Sequence, residues 1–104
     1  MEPLSDFSQK VYRFTALIPR GRVSTYAALA KAIGKTGAAR AVGNALNKNP
    51  YVPQVPCHRV VRSDGTVGGF ALGTNKKISM LKKEGLIIKK QSVDLQKYLY
   101  EFKA

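Results

Sequence analysis

Within five residues, Pro56-Cys57-His58-Arg59-Val60, the chain places its only cysteine, its only histidine and an arginine. The thiolate is the reactive form of cysteine, and an adjacent imidazole or cation favours it. Covalent chemistry is therefore expected at Cys57. Three kinds of chemistry fit these residues. A hydrolase built on a Cys-His pair needs an oxyanion hole and usually an orienting third residue, and residues adjacent in sequence seldom point at each other. The alternatives are a redox-sensing transcription factor and a thiolate that accepts a group from modified DNA.

The 104 residues, 44% of them apolar, suit one domain over 1–104 with a small core. No stretch approaches the ~20 apolar residues of a membrane span, and the N-terminus lacks the apolar core of a secretory signal. A single cysteine excludes an internal disulfide, and one Cys with one His cannot fill a zinc sphere unaided. Neither a metal nor an organic cofactor is expected. A lone thiol kept for chemistry suits a reducing compartment, so the expected location is cytoplasmic. Eighteen Lys and Arg against six Asp and Glu give a net charge of +12. That balance calls for a polyanionic partner, nucleic acid first. The basic residues, Arg20, Arg22, Arg40, Arg59, Arg62, Lys76, Lys77, Lys82, Lys83, Lys89 and Lys90, are spread along the chain. A broad folded basic face is expected, not a tail.

Phe7, Val11, Phe14 and Ile18 recur at helical spacing and predict a helix over 6–18, capped by Ser5 or Asp6 and ended by Pro19. Tyr26, Leu29, Ala30 and Ile33 mark a second helix, from Ser24 or Thr25 to Gly34. A third, about 37–47, has a core side of Ala38, Val42, Ala45 and Leu46. Its other side carries Arg40, Gly43, Asn44 and Asn47, small and polar with one long cation. Two helices joined by a short glycine-containing turn, the second with such a face, read as helix-turn-helix. Prolines at 50, 53 and 56 make a loop. Val60 to Val67, with Asp64-Gly65 as its turn, is expected to form a hairpin, which after a helix-turn-helix would be a wing. A fourth helix is expected over 75–84, capped by Thr74 and stopped by Gly85. Leu86–Ile88 is a possible strand, and Leu95, Tyr98, Leu99 and Phe102 predict a terminal helix over about 92–102. The expected fold is mainly α with a small β hairpin, a winged helix-turn-helix-like DNA-binding domain.

The pentapeptide at Cys57 resembles the acceptor signature of the O6-alkylguanine-DNA alkyltransferases, the methylated-DNA–protein-cysteine methyltransferases. Val23-Ser24-Thr25-Tyr26 with Leu29-Ala30 resembles that family's tyrosine-bearing helix. Ala38-Ala39-Arg40-Ala41-Val42-Gly43 resembles its recognition helix, and Asn49-Pro50 its asparagine turn. Val67-Gly68-Gly69-Phe70 and Lys83-Glu84-Gly85 follow in order and spacing, so the resemblance runs over 7–85.

The resemblance implies roles. Cys57 would take the alkyl group irreversibly, so the protein would act once. His58, through a water, would remove the thiol proton, and Glu84 would orient the imidazole. Tyr26 would protonate the departing guanine, Arg59 would brace the site, and Asn49 would fasten the turn before it. The partner would be double-stranded DNA bound through its minor groove by a monomer, with the O6-alkylguanine extruded into a pocket. Arg40 would fill the gap, Ala41 and Gly43 would let the helix approach, Phe70 would wall the pocket, and backbone groups of Cys57, Val60 and Ala71 in that pocket would read the extruded base. The family's N-terminal domain is expected to be absent, since only Met1–Asp6 precede the first helix. Phe70 stands where the family often has tyrosine, and Ala71-Leu72 also departs from commoner residues. The runner-up is an alkyltransferase-like protein that binds the lesion and recruits other factors. Such proteins usually lack the acceptor cysteine, which this chain has. A sequence-specific winged-helix regulator is a third possibility.

Overall fold

A computed structural model describes residues 5–51, 54–70 and 72–102. Helix α1 (Asp6–Thr15) starts where Ser5 Oγ accepts the Ser8 N–H at 3.1 Å. It stops three residues before the expected end. Pro19 disfavours helix at Ile18, and Leu17 and Ile18 bond back to Phe14 and Thr15 in tighter i→i−3 turns. Strand β1 (Ser24–Thr25) runs straight into α2 (Tyr26–Ala32), with Thr25 capping the Ala28 N–H at 3.0 Å. Gly34, at φ +82°, ends α2: its N–H reaches Lys31 O, and the Lys35 N–H reaches Ala30 O at 2.8 Å. Those two bonds define a Schellman cap. Helix α3 (Ala39–Asn47) begins later than expected because Gly37 sits at φ +93°, outside helical space.

The largest departure concerns the hairpin. Asp64-Gly65 does form a turn, with Arg62 N–H to Thr66 O at 2.9 Å. Its flanks, however, do not pair as an extended ladder. Strand β2 (Val60–Val61) instead lies parallel to β1, Ser24 opposite Val60 and Thr25 opposite Val61. Burial explains the choice. Val60 belongs to one hydrophobic cluster, with Val11, Ile18, Leu29, Val42 and Leu46. Val61 belongs to another, with Val23, Val67, Leu81, Leu86, Val93 and Tyr98. Side chains of adjacent strand residues point to opposite faces, so the two-stranded sheet forms a septum between two cores. A solvated hairpin would have left one valine in water.

Helix α4 (Thr74–Lys83) is preceded by Gly73 at φ +95° as its N-cap. The expected cap, Thr74, donates instead to Gly68 O at 3.3 Å. The helix ends in a second Schellman cap, Gly85 N–H to Lys82 O and Leu86 N–H to Leu81 O, with Gly85 at φ +96°. Leu81 and Leu86 share the second core, the apolar contact this cap favours. Residues 86–88 form no strand. The expected terminal helix shrinks to α5 (Leu95–Tyr98), capped by Asp94. Beyond it the chain is extended, because residues 98 and 100 take both backbone groups of Val23: its N–H bonds Tyr98 O at 2.9 Å and its carbonyl the Tyr100 N–H at 2.7 Å. Tyr100 and Phe102, two apart, pack together and onto the first core.

The Gly65 Cβ position lies 2.7 Å from Val93 O, and Gly65 has φ +91°. Gly65→Ala therefore combines a disfavoured conformation with a backbone clash, and should destabilise by about 2–4 kcal/mol. Thermal denaturation should show a melting temperature lower by roughly 10 °C or more; an unchanged value would contradict this packing.

Candidate active site and nucleic-acid face

Cys57, His58 and Arg59 form one turn of 3₁₀ helix between the proline loop and β2. Three residues per turn send these side chains about 120° apart, so neighbours in sequence serve different partners. Asn49 fixes the approach: its Nδ2 donates to Val55 O at 2.9 Å, and its Oδ1 accepts the Tyr51 N–H at 2.9 Å. The Cys57 N–H then bonds Val55 O at 2.8 Å. Cys57 is only 5% exposed and sits in the first hydrophobic cluster.

His58, 2% exposed, meets Glu84 with Nε2 and Oε2 3.0 Å apart. Arg59 grips the same carboxylate as a fork, Nε to Oε1 at 2.9 Å and Nη2 to Oε2 at 2.7 Å, and its Nη1 donates to Ile18 O at 2.9 Å. The Schellman cap places Glu84 at the C-cap just past α4, facing the 3₁₀ turn. Burial opposes the Glu84 charge, but hydrogen bonds from Arg59 and His58 outweigh it and hold the pKa below its ordinary value. An ionised carboxylate only accepts, so His58 Nε2 carries the proton and Nδ1 keeps a lone pair. Nδ1 is buried with no hydrogen-bond partner among the described residues. Burial lowers the His58 pKa from 6.5, Glu84 only partly restoring it, so the imidazole is a neutral base at neutral pH.

Tyr26 opens α2 and stands between α3 and the Gly68 loop: a Cβ built on Gly43 would lie 3.8 Å from its ring, and one on Gly68 3.7 Å from its hydroxyl. Burial raises its pKa, with Cys57 adding to the rise and Arg62 opposing it, so the phenol stays a donor. Phe70 sits edge-on to His58, centroids 6.5 Å apart. The Val60 side chain is fully buried in the core, so only its backbone is available to a ligand. Ala71 lies outside the described residues. Arg40 and Ala41 are exposed on α3. A concavity of about 680 Å³ fronts that helix, lined by Tyr26, Arg40, Gly43, Asn44, Asn47 and Arg62 among others.

One residue counted as part of the basic face is not on it. Lys77 is fully buried, its Nζ 3.1 Å from Gly69 O and 5.8 Å from the centroid of the Tyr26 ring. Burial lowers its pKa to about 8, with Arg62 contributing and Cys57 opposing. It ties α4 to the Gly68–Phe70 loop. The signal was present in the sequence: Lys77, Leu81 and Glu84 fall at i, i+4 and i+7, on the inner face of α4. Among the described residues no group of three or more His, Cys, Asp or Glu side chains gathers to hold a metal. No helix of the described residues is long and apolar enough to cross a membrane.

A family model for the 6-O-methylguanine DNA methyltransferase DNA binding domain matches residues 6–86. The chain belongs to that family. A methylated-DNA–protein-cysteine methyltransferase of Methanosarcina barkeri is 45% identical to this member over 80 residues, 77% of this chain and 51% of its own length. Mycobacterium tuberculosis OGT, solved in complex with DNA, superposes with a TM-score of 0.77 at 41% identity, covering 79% of this chain and 51% of that one. S. pombe Atl1, solved with damaged DNA containing O6-carboxymethylguanine, gives a TM-score of 0.86 at 31% identity, covering 96% of this chain and 99% of that one. The chain spans about a third to a half of the length of the curated methyltransferases it matches.

His58 is the only histidine, so its titration is readable by NMR without assignment ambiguity. Its midpoint should lie below 6.5, and Glu84→Gln should lower it further, since Glu84 raises it. A rise on that substitution would contradict the geometry. The unfolded chain binds the His58 proton more readily, so stability is expected to fall as pH drops from 6.5 towards the folded value. The depressed Glu84 adds to that loss below its unfolded pKa, near 4.5.

Proposed function

We propose that this chain repairs O6-alkylguanine in double-stranded DNA by moving the alkyl group onto Cys57. In that reading it is the family's active-site domain, acting as a monomer in a reducing, cytoplasmic compartment. The observation that carries the proposal is the buried network beside Cys57, in which Glu84 and Arg59 hold one side of His58 and leave the basic Nδ1 on the other. A water between Nδ1 and the Cys57 sulfur would carry the thiol proton to the imidazole. The sulfur then attacks the alkyl carbon; the S–C bond forms as the C–O6 bond breaks, and guanine leaves. Tyr26, protonated at neutral pH, supplies the proton that neutralises the departing purine, and solvent replaces it. A thioether is stable to water, so each molecule would act once.

For the DNA, we propose α2 and α3 as a helix-turn-helix with α3 in the minor groove. The turn at Asp64-Gly65 and the chain beside it would stand as the wing. The target nucleotide is out of reach inside the stack and must be rotated out, with Arg40 entering the space it leaves. Gly43 supports this orientation. A methyl there would make ordinary contact with Tyr26, so the protein's own packing does not require glycine in mid-helix, where it costs about 1 kcal/mol against alanine. Close approach by an outside surface gives it a reason. Gly43→Ala should therefore raise stability by about 0.5–1 kcal/mol while weakening binding to duplex DNA. Calorimetry and a binding titration would read the two arms, and unaltered DNA affinity would count against α3 as the contact helix.

A second reading has its own support. The chain matches S. pombe Atl1 over nearly the full length of both, as a lesion-binding protein would. Incubation with DNA containing O6-methylguanine, followed by peptide mass spectrometry, separates the two. Transfer predicts one added methylene on the Cys57 peptide and no second turnover. Lesion binding with an unmodified Cys57 would replace the transferase reading with the lesion-binding one.

A further inference from the structure

The chain beyond residue 86, outside the family-model match, brings an unusual turn to the edge of the DNA-facing concavity. Lys89 and Ser92 close a two-residue hairpin, N–H to O at 3.0 and 2.9 Å in the two directions. Its central residues, Lys90 and Gln91, have φ of +51° and +60°, and they are the non-glycine residues with positive φ among those described. A type I′ turn demands that conformation at both positions, and Asn-Gly is its usual solution. A lysine and a glutamine there are strained, and strain persists where the surroundings over-determine it. Here the Val67 N–H bonds Gln91 O and the Val93 N–H bonds Gly65 O, both at 2.9 Å, fastening the hairpin to the segment before Gly68.

The strained turn presents Lys90 to a cavity of about 270 Å³ whose wall also includes Arg62, Thr66, Gly68, Gly69 and Thr74. Two cations, hydroxyl groups and glycine backbone meet there, and no lining residue is acidic. The acid closest in sequence, Asp64, is turned back onto the Thr66 N–H and Oγ1 at 2.9 and 2.7 Å. Arg62 joins this cavity to the larger one: it lines the α3 concavity with Arg40, and its Cγ and Nε lie 3.4 Å from the Cβ position of Gly68. Arg40, Arg62 and Lys90 thus form a run of cations passing the rim at Tyr26 and Gly68. The two threonine hydroxyls already donate to Asp64 and to Gly68 O, so the cations carry the match to a row of phosphates.

We propose that the cavity between Gly68-Gly69 and the Lys89–Ser92 hairpin seats a backbone phosphate of the bound duplex, held by Arg62 and Lys90. The inference rests on the DNA-binding part of the reading above and adds a second contact region, contributed by the C-terminal segment. The strained turn exists to aim Lys90 at that phosphate.

The test is equilibrium binding of a lesion-free duplex across a salt series, with wild type, Lys90→Asn and Lys90→Arg. Asparagine tolerates the left-handed conformation, so Lys90→Asn removes the charge and keeps the turn. Each phosphate contact contributes about 0.9 to the slope of log affinity against log salt. Lys90→Asn should flatten the slope by about that amount and weaken binding several-fold, and Lys90→Arg should restore both. An unchanged slope in Lys90→Asn would overturn the proposal, as would an arginine that behaves like asparagine. Inorganic phosphate at matched ionic strength should displace DNA no better than chloride; selective, saturable displacement would make this a free-anion site and overturn it too. Because the duplex carries no lesion, the result is independent of Cys57. Failure of methyl transfer with the slope difference intact would remove the repair chemistry alone.

Discussion

A carboxylate at the C-cap of a helix faces the negative end of the helix dipole, and burial makes its charge harder to hold. Glu84 occupies that position, and the Arg59 fork resolves the conflict with two charge-assisted bonds below 3 Å. His58 shares the carboxylate, and the remaining Arg59 nitrogen reaches the chain after α1 at Ile18 O. One anion therefore fixes α4, the 3₁₀ turn and the end of α1 against each other. It also decides which imidazole nitrogen is basic. Lysine in place of Arg59 could not do this, since a point charge satisfies one oxygen at a time.

The sequence pointed to the residues around Cys57 more directly than to the architecture that holds them. Cys57, His58 and Arg59 are rare or charged residue types grouped in one dimension, whereas Glu84, 26 residues from His58, entered only through the resemblance. Asn49 likewise entered through the resemblance, and its side chain does fasten the loop backbone at Tyr51 and Val55. Helices α1 to α3 followed from apolar spacing and α4 from its bounding Thr74 and Gly85, with ends moved by Pro19, Gly37 and Gly73. What failed were the segments whose state is set by a distant partner. Val60-Val61 reads as half of a hairpin until Ser24-Thr25 and the second core claim it. Residues 99–102 read as helix from Leu95, Tyr98, Leu99 and Phe102, yet the alternation of Tyr100 and Phe102 carried the extended answer, which pairing with Val23 selects. Lys77 was miscounted for the same reason: its burial depends on the loop that α4 covers.

The surface divides by what the protein's own packing requires. Gly65 is required, because no side chain fits against Val93. Gly43 is not, and neither is the left-handed lysine at 90. Both lie in the two cavities lined by the cations Arg40, Arg62 and Lys90, which is why an external surface is proposed for them. Family membership accounts for the first of these positions; the second belongs to the C-terminal segment, beyond the family-matched region.

The parallel ladder of β1 and β2 has only two rungs, too few to hold its own alignment. The two valines of β2 act as a key: each fits a different lock, one on either side of the septum. A slip of one residue would swap their sides and displace the preceding turn by about 3.3 Å along the strand. That step exceeds the reach of the guanidinium fork, so a misregistered chain would lose its basic imidazole along with its core. The placement of Cys57 is thereby delegated to two aliphatic side chains buried on opposite sides of the sheet.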